Sequence, residues 1–207
     1  MPGNSTLCAV ILAAGASSRM GRDKALLPWP PGSDSAETLL SAAILALRPF
    51  AQSVIVVAGE NEDKLEPIAK AHGAILVRNP APERGQFSSL QVGLQAALDR
   101  GCNAAMITPV DCPPLSAVSL EALRAAFEDA KARGAWAVAP ENRGRRGHPL
   151  FASGELMDAF LSAPASSNAR EVKRAHADKF EYVAVADALL AVDLNTPEEY
   201  EAAKSAR

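Results

Sequence analysis

Cys8-Ala9-Val10-Ile11-Leu12 runs straight into Ala13-Ala14-Gly15-Ala16-Ser17-Ser18-Arg19-Met20-Gly21. A short apolar run without alternation reads as a strand buried on both faces of a sheet, here leading into a loop of small residues. Similar runs recur at Val54 to Val57, Ala74 to Val77, Ala104 to Thr108, Ala135 to Ala139, Tyr182 to Val185 and Leu190 to Val192. Between most of them lie segments with apolar residues three and four apart: Leu39 to Leu47, Lys64 to Ala71, Ser89 to Leu98, Leu120 to Ala132 and Glu155 to Leu161. That spacing is the mark of an amphipathic helix. The alternation predicts an α/β fold, a three-layer α/β/α sandwich around a mainly parallel, Rossmann-like sheet. Ligands of such sheets sit beyond the carboxyl ends of the strands, so the residues after each apolar run are where chemistry is sought.

The first such loop is a phosphate cradle in outline. Small residues let backbone amides approach an anion, and Arg19 and Lys24 add positive charges suited to triphosphate oxygens. It carries neither the Gly-Lys-Ser/Thr of the Walker pattern nor the three spaced glycines of the dinucleotide pattern, which disfavours kinase and dehydrogenase readings. By spacing alone, Gly15 and Gly21 also fit a simple turn with Arg19 and Lys24 solvated.

The length of 207 residues suits one domain, 1–207. A formal net charge of -3 offers no footprint for nucleic acid. The apolar run from Leu7 to Ala14 is far shorter than the roughly 20 residues a bilayer requires, so no membrane association is expected. Cys8, Cys102 and Cys112 show no metal-ligand spacing; an odd number of thiols without a signal-like leader predicts a reducing, cytoplasmic setting.

Asp111, in Asp111-Cys112-Pro113-Pro114 after the fourth apolar run, is a candidate metal ligand, because Mg²⁺ takes carboxylates together with substrate phosphates. It also fits a helix cap. Cys112 reads as a structural thiol. Ser88 and Ser89 open a helical pattern, as anion-binding or ordinary capping residues. Arg143-Gly144-Arg145-Arg146-Gly147-His148-Pro149 concentrates cations, suited to an anionic acceptor or simply solvated. Near the end, Thr196, Pro197 and Glu199 form a capping box that leaves Asp193 and Asn195 unexplained at what reads as a strand exit. His72 and His176 fit helix ends.

Leu12 to Pro28 closely resembles the signature of the MobA-like NTP transferases, and further motifs follow in that family's order up to Tyr200. The resemblance implies the nucleotide-diphospho-sugar transferase type of fold and a nucleoside monophosphate moved onto a phosphorylated acceptor with release of pyrophosphate. Catalytic roles fall to Arg19, Lys24 and Asp111, and Mg²⁺ to Asp111 with Asp193. Nucleotide contacts fall to Leu12, Ala13, Ala14, Gly15, Arg19, Lys24, Gly59, Ser88 and Ser89, and acceptor contacts to Arg146, His148 and Asn195. The double alanine Ala13-Ala14 and the Gly-His-Pro of 147–149 are similar to the molybdenum cofactor cytidylyltransferase branch. This implies CTP and molybdenum-loaded molybdopterin as substrates, and a molybdoenzyme or its chaperone as protein partner. GTP, a sugar phosphate acceptor, and a non-catalytic molybdopterin-binding chaperone are the alternatives. The long loop Pro30 to Ala36, and Asn168-Ala169-Arg170 in place of Gly-Ala-Arg, depart from the family pattern.

Overall fold

The computed structural model describes residues 5–15, 20–32 and 36–203. Eight strands form one mixed sheet: β1 (Leu7–Leu12), β2 (Ser53–Ala58), β3 (Ile75–Arg78), β4 (Ala104–Pro109), β5 (Ala137–Asn142), β6 (Arg145–Arg146), β7 (Leu150–Ser153) and β8 (Phe180–Ala184). The order is β3-β2-β1-β4-β7-β5-β6, and β8 pairs with β5. Strands β3, β2, β1 and β4 run parallel. Strand β7 is antiparallel to both β4 and β5, while β8 is parallel to β5.

Every residue of β1 is buried, as its continuous apolar character requires. Its side chains divide by parity: Ala9 and Ile11 enter one core, Cys8, Val10 and Leu12 the other. The first core takes its cover from α1 (Leu39–Leu47), α2 (Glu62–Ala71) and α4 (Ala117–Ala132) through residues such as Ile44, Leu65 and Phe127. The second takes it from α3 (Gln86–Leu98), α5 (Gly154–Ser162) and α6 (Ala169–Ala175) through Leu94, Phe160 and Val172. This is the expected α/β/α sandwich. Helix α3 seats closely on the sheet because Gly93 has no side chain: a Cβ there would lie 2.4 Å from Val10 Cγ1. The short α7 (Pro197–Ala202) closes a third cluster, where Tyr200 packs with Met20, Trp29 and Leu39.

Two expectations are corrected, and one strand adds to those expected. Leu190 to Val192 is not a strand: Ala188–Ala191 form a 3-10 turn, because Asp187 at its start accepts from Leu189 N. The same carboxylate is tied to Ser116 N and Ser119 Oγ. The segment after His148-Pro149 contains β7, which passes into α5 at Gly154 with no loop between them to set the strand apart. The cysteines are not all separate thiols: Cys8 and Cys102 form a disulfide. Parallel pairing of Leu7 with Ala104 brings these two residues, 94 positions apart, to a Cα separation of 6.0 Å within one core. No helix among the described residues is long and apolar enough to cross a membrane.

Candidate active site

A cleft of about 910 Å³ opens beyond the carboxyl ends of β1, β2 and β4. Its wall includes Leu12, Ala13, Ala14 and Gly15 from the first loop, with Lys24, Asp111 and Asn195 opposite. Lys24 begins a 3-10 turn, Lys24–Leu26, which Asp23 caps by accepting from Ala25 N. Only 9% of Lys24 is exposed, and its amine donates to Asp111 Oδ2 at 2.8 Å and to Asn195 Oδ1 at 2.9 Å. Leu194 N donates to the Asp111 carbonyl, which locks the 193–195 segment onto the end of β4. Residues 171 positions apart thus meet at one amine. The helix-cap alternative for Asp111 is excluded, because α4 begins at Ala117 with Ser116 as its cap.

Asp193 lies on the other side of Cys112, whose thiol points to Asp193 Oδ1 at 3.8 Å. Burial, then the charges of Asp111 and Asp193, push the Cys112 thiol far above its ordinary range. It stays protonated, as a structural thiol should. Among the described residues no three metal-ligating side chains converge. Two oxygen donors, Asp111 and Asp193, nevertheless match a Mg²⁺ that takes its remaining ligands from phosphates and water. Asp111 meets the Lys24 amine at Oδ2, and Oδ1 is the oxygen that would serve as such a donor.

Gly59, at the end of β2, passes so close to the first loop that a Cβ would lie 2.9 Å from the Ala14 carbonyl oxygen. Ser88 and Ser89 lie in the first turn of α3, where Gly85 is the cap. Both hydroxyls accept from the buried Asn79 Nδ2 at 2.9 Å. Ser88 also donates to Gly85 O and so holds the turn before α3, whereas Ser89 reaches the cleft. Arg19 lies outside the described residues.

On the far side, antiparallel β7 starts at the carboxyl end of β4, which is how His148 arrives beside the site. Its Nδ1 lies 3.2 Å from the Ile107 carbonyl and must donate to it, leaving Nε2 as an acceptor. Burial holds the ring below its ordinary value. Arg146 lies over the Tyr182 ring at 3.6 Å and pairs with Glu141, while its neighbour Arg145 stands 3.9 Å from Asp193. His72 and His176 end α2 and α6, as expected.

The family profile of the MobA-like NTP transferase domain matches residues 9–180. The chain belongs to this family. The chain is 27% identical over 201 residues to the molybdenum cofactor cytidylyltransferase of Escherichia coli K12, covering 97% of this chain and 96% of that protein. It is 34% identical over 123 residues to the Rhodopirellula baltica protein named "Probable molybdenum cofactor guanylyltransferase", covering 59% of this chain and 56% of that one. Rv0371c from Mycobacterium tuberculosis H37Rv shares the fold at a TM-score of 0.75 and 19% identity, over 96% of this chain and 97% of that one. A structure of Rv0371c in complex with manganese gives 0.70 at 18% identity, over 96% of this chain and 98% of that one.

The fold gathers Lys24, Asp111 and Asn195 into one contact and sets Asp193 and His148 around Cys112. It turns Arg146 toward Tyr182 and Glu141. Sequence reading missed Asn61 and Asn79, single amides in connecting segments with no motif spacing to mark them. Asn61 sits where an ordinary helix cap is expected.

Proposed function

We propose that this chain is a Mg²⁺-dependent molybdenum cofactor cytidylyltransferase, which moves CMP from CTP onto the phosphate of molybdenum-loaded molybdopterin and releases pyrophosphate. The observation that carries the reading is the Lys24–Asp111–Asn195 contact at the mouth of the Leu12–Gly15 loop. An acceptor phosphate oxygen attacks the α-phosphorus of the triphosphate, and the bond to the β-phosphate oxygen breaks. The attacking phosphate is ionised near neutrality, so no strong base is needed.

Backbone amides of Ala14 and Gly15 hold the triphosphate, the Ala13 amide being committed to the Val57 carbonyl, with Arg19 and Lys24 balancing the charge that spreads over its oxygens. Asp111 and Asp193 would hold Mg²⁺, which supplies charge neutralisation and alignment of the phosphates. The manganese complex of Rv0371c is in keeping with a divalent ion in this fold. Asn195 orients the Lys24 amine, Gly59 and Ser89 border the nucleotide, and His148 receives the acceptor through Nε2.

CTP is favoured over GTP by the double alanine and by the match to a cytidylyltransferase along 97% of the chain, against 59% for a guanylyltransferase. GTP remains the second reading because that shorter match has the higher identity, 34%. Incubation with each common triphosphate, Mg²⁺ and molybdenum-loaded molybdopterin tests both. Pyrophosphate and a cytosine dinucleotide product are expected with CTP; exclusive use of GTP overturns the nucleotide assignment.

A further inference from the structure

Asn61 immediately precedes α2, at the position where an asparagine side chain ordinarily caps a helix by accepting from its first amides. Here it makes no such bond. Its amide is turned the other way, into the wall of the cleft, and joins three separate segments. Nδ2 donates to the Ala13 carbonyl at 2.9 Å, at the exit of β1. It also donates to Asp23 Oδ2 at 2.7 Å, in the turn that carries Lys24. Oδ1 accepts from Gly59 N at 3.0 Å, at the exit of β2. An asparagine amide has two N–H donors and one carbonyl acceptor, and all are engaged.

Asp23 passes this fixation on. Its Oδ2 is held by Asn61 while Oδ1 accepts from Ala25 N at 3.0 Å, so the carboxylate is fixed at both oxygens around the start of the Lys24 turn. A hydrogen bond to an ionised carboxylate is roughly twice as strong as one between neutral groups, which makes this link the firm one of the three. The loop amides and the Lys24 amine must act together on one triphosphate, yet they belong to different segments. Asn61 spans the gap between them.

We infer that Asn61 is a positioning residue for nucleotidyl transfer, setting the separation between the Leu12–Gly15 loop and Lys24. The inference rests on the reading of this cleft as the triphosphate site. Asn61 acts through Asp23 and Lys24 rather than on the reacting atoms. Because misplacement by about 1 Å can cost on the order of 100-fold in rate, removal of the clasp should be felt in kcat/KM for the triphosphate.

The test measures pyrophosphate release for Asn61→Ala and the isosteric Asn61→Asp, in the native chain and in a Lys24→Met background, with melting curves for each. Both variants are expected to lose about 30-fold in kcat/KM for the triphosphate, with Asp at least as severe because it presents a carboxylate to Asp23. In the Lys24→Met background the further loss should stay below about threefold, since residues acting as a unit are non-additive. An equal loss in both backgrounds, or less than about threefold in the native chain, overturns the inference. Failure of both variants to melt cooperatively assigns Asn61 to the fold alone and also overturns it. If the native chain releases no pyrophosphate with any triphosphate, the reading of the cleft falls and the inference with it.

Discussion

The two flanks of the cleft are built differently. On the β1–β2 flank, buried or half-buried amides and carboxylates bond across segments: Asn61 to Ala13, Gly59 and Asp23, and Asn79 to Ser88 and Ser89. On the β5–β7 flank, the cations of the β6 hairpin are exposed, and their partners are surface groups such as Glu141 and the rim carboxylate Asp193. The first flank has its polar groups oriented before any ligand arrives; the second presents charge at the end of flexible side chains. A triphosphate reaction needs fixed dipoles around a defined phosphorus, whereas capture of an anionic acceptor tolerates adjustable ones.

The hardest test of this division is Asp111, which stands between the flanks. Asp111→Ala is expected to lower the rate of pyrophosphate release by about 10³-fold while leaving acceptor affinity unchanged, as read by acceptor titration. Equal loss of both would break the division at its centre. Gly59→Ala comes next. The added Cβ would press on the Ala14 carbonyl at 2.9 Å, so the KM for the triphosphate should rise about tenfold with that for the acceptor unmoved.

His148→Gln probes the other flank. The KM for the acceptor is expected to rise about fivefold, with the triphosphate KM unchanged, since a lost neutral hydrogen bond contributes about 1 kcal/mol. The same variant carries a pH signature. Burial lowers the His148 pKa; the Ile107 carbonyl opposes this, Lys173 adds to it, and Asp111 and Asp193 oppose it. As the pH falls below about 6.5 the unfolded chain takes up this proton first, so native stability declines from there down to the depressed folded value. The melting temperature of the native chain should therefore drop more between about pH 7.5 and about pH 5.5 than that of His148→Gln.

What could be read from the sequence follows the same division. Continuous apolar runs expose parallel strands buried on both faces, so β1, β2 and β4, and the Lys24 and Asp111 that follow them, were legible. The antiparallel portion was not: β6 is two exposed arginines, β7 runs from Ser153 straight into α5 at Gly154 with no loop to mark its end, and Leu190 to Val192 is apolar enough to resemble a strand but is capped into a turn by Asp187. Asn61 was hidden because an asparagine before a helix already has a common explanation. The Cys8–Cys102 disulfide was hidden because only the β1–β4 register reveals that the two residues are neighbours.

The smallest expected effect separates two adjacent arginines. Arg146 is exposed and already engaged by the Tyr182 ring at 3.6 Å and by Glu141, whereas Arg145 stands 3.9 Å from Asp193, beside the site. A cation over an exposed ring contributes about 0.5–1 kcal/mol, and a surface ion pair about 0–1. Arg146→Ala should therefore lower stability by about 1 kcal/mol in denaturant titration and change the acceptor KM by less than about twofold. Arg145→Ala should raise the acceptor KM about threefold and leave stability nearly unchanged. The reverse ranking would mean that acceptor binding draws Arg146 away from Tyr182. That result would sharpen the contrast between the flanks, because one side of the cleft would then reorganise on binding while the Asn61 side stays as built.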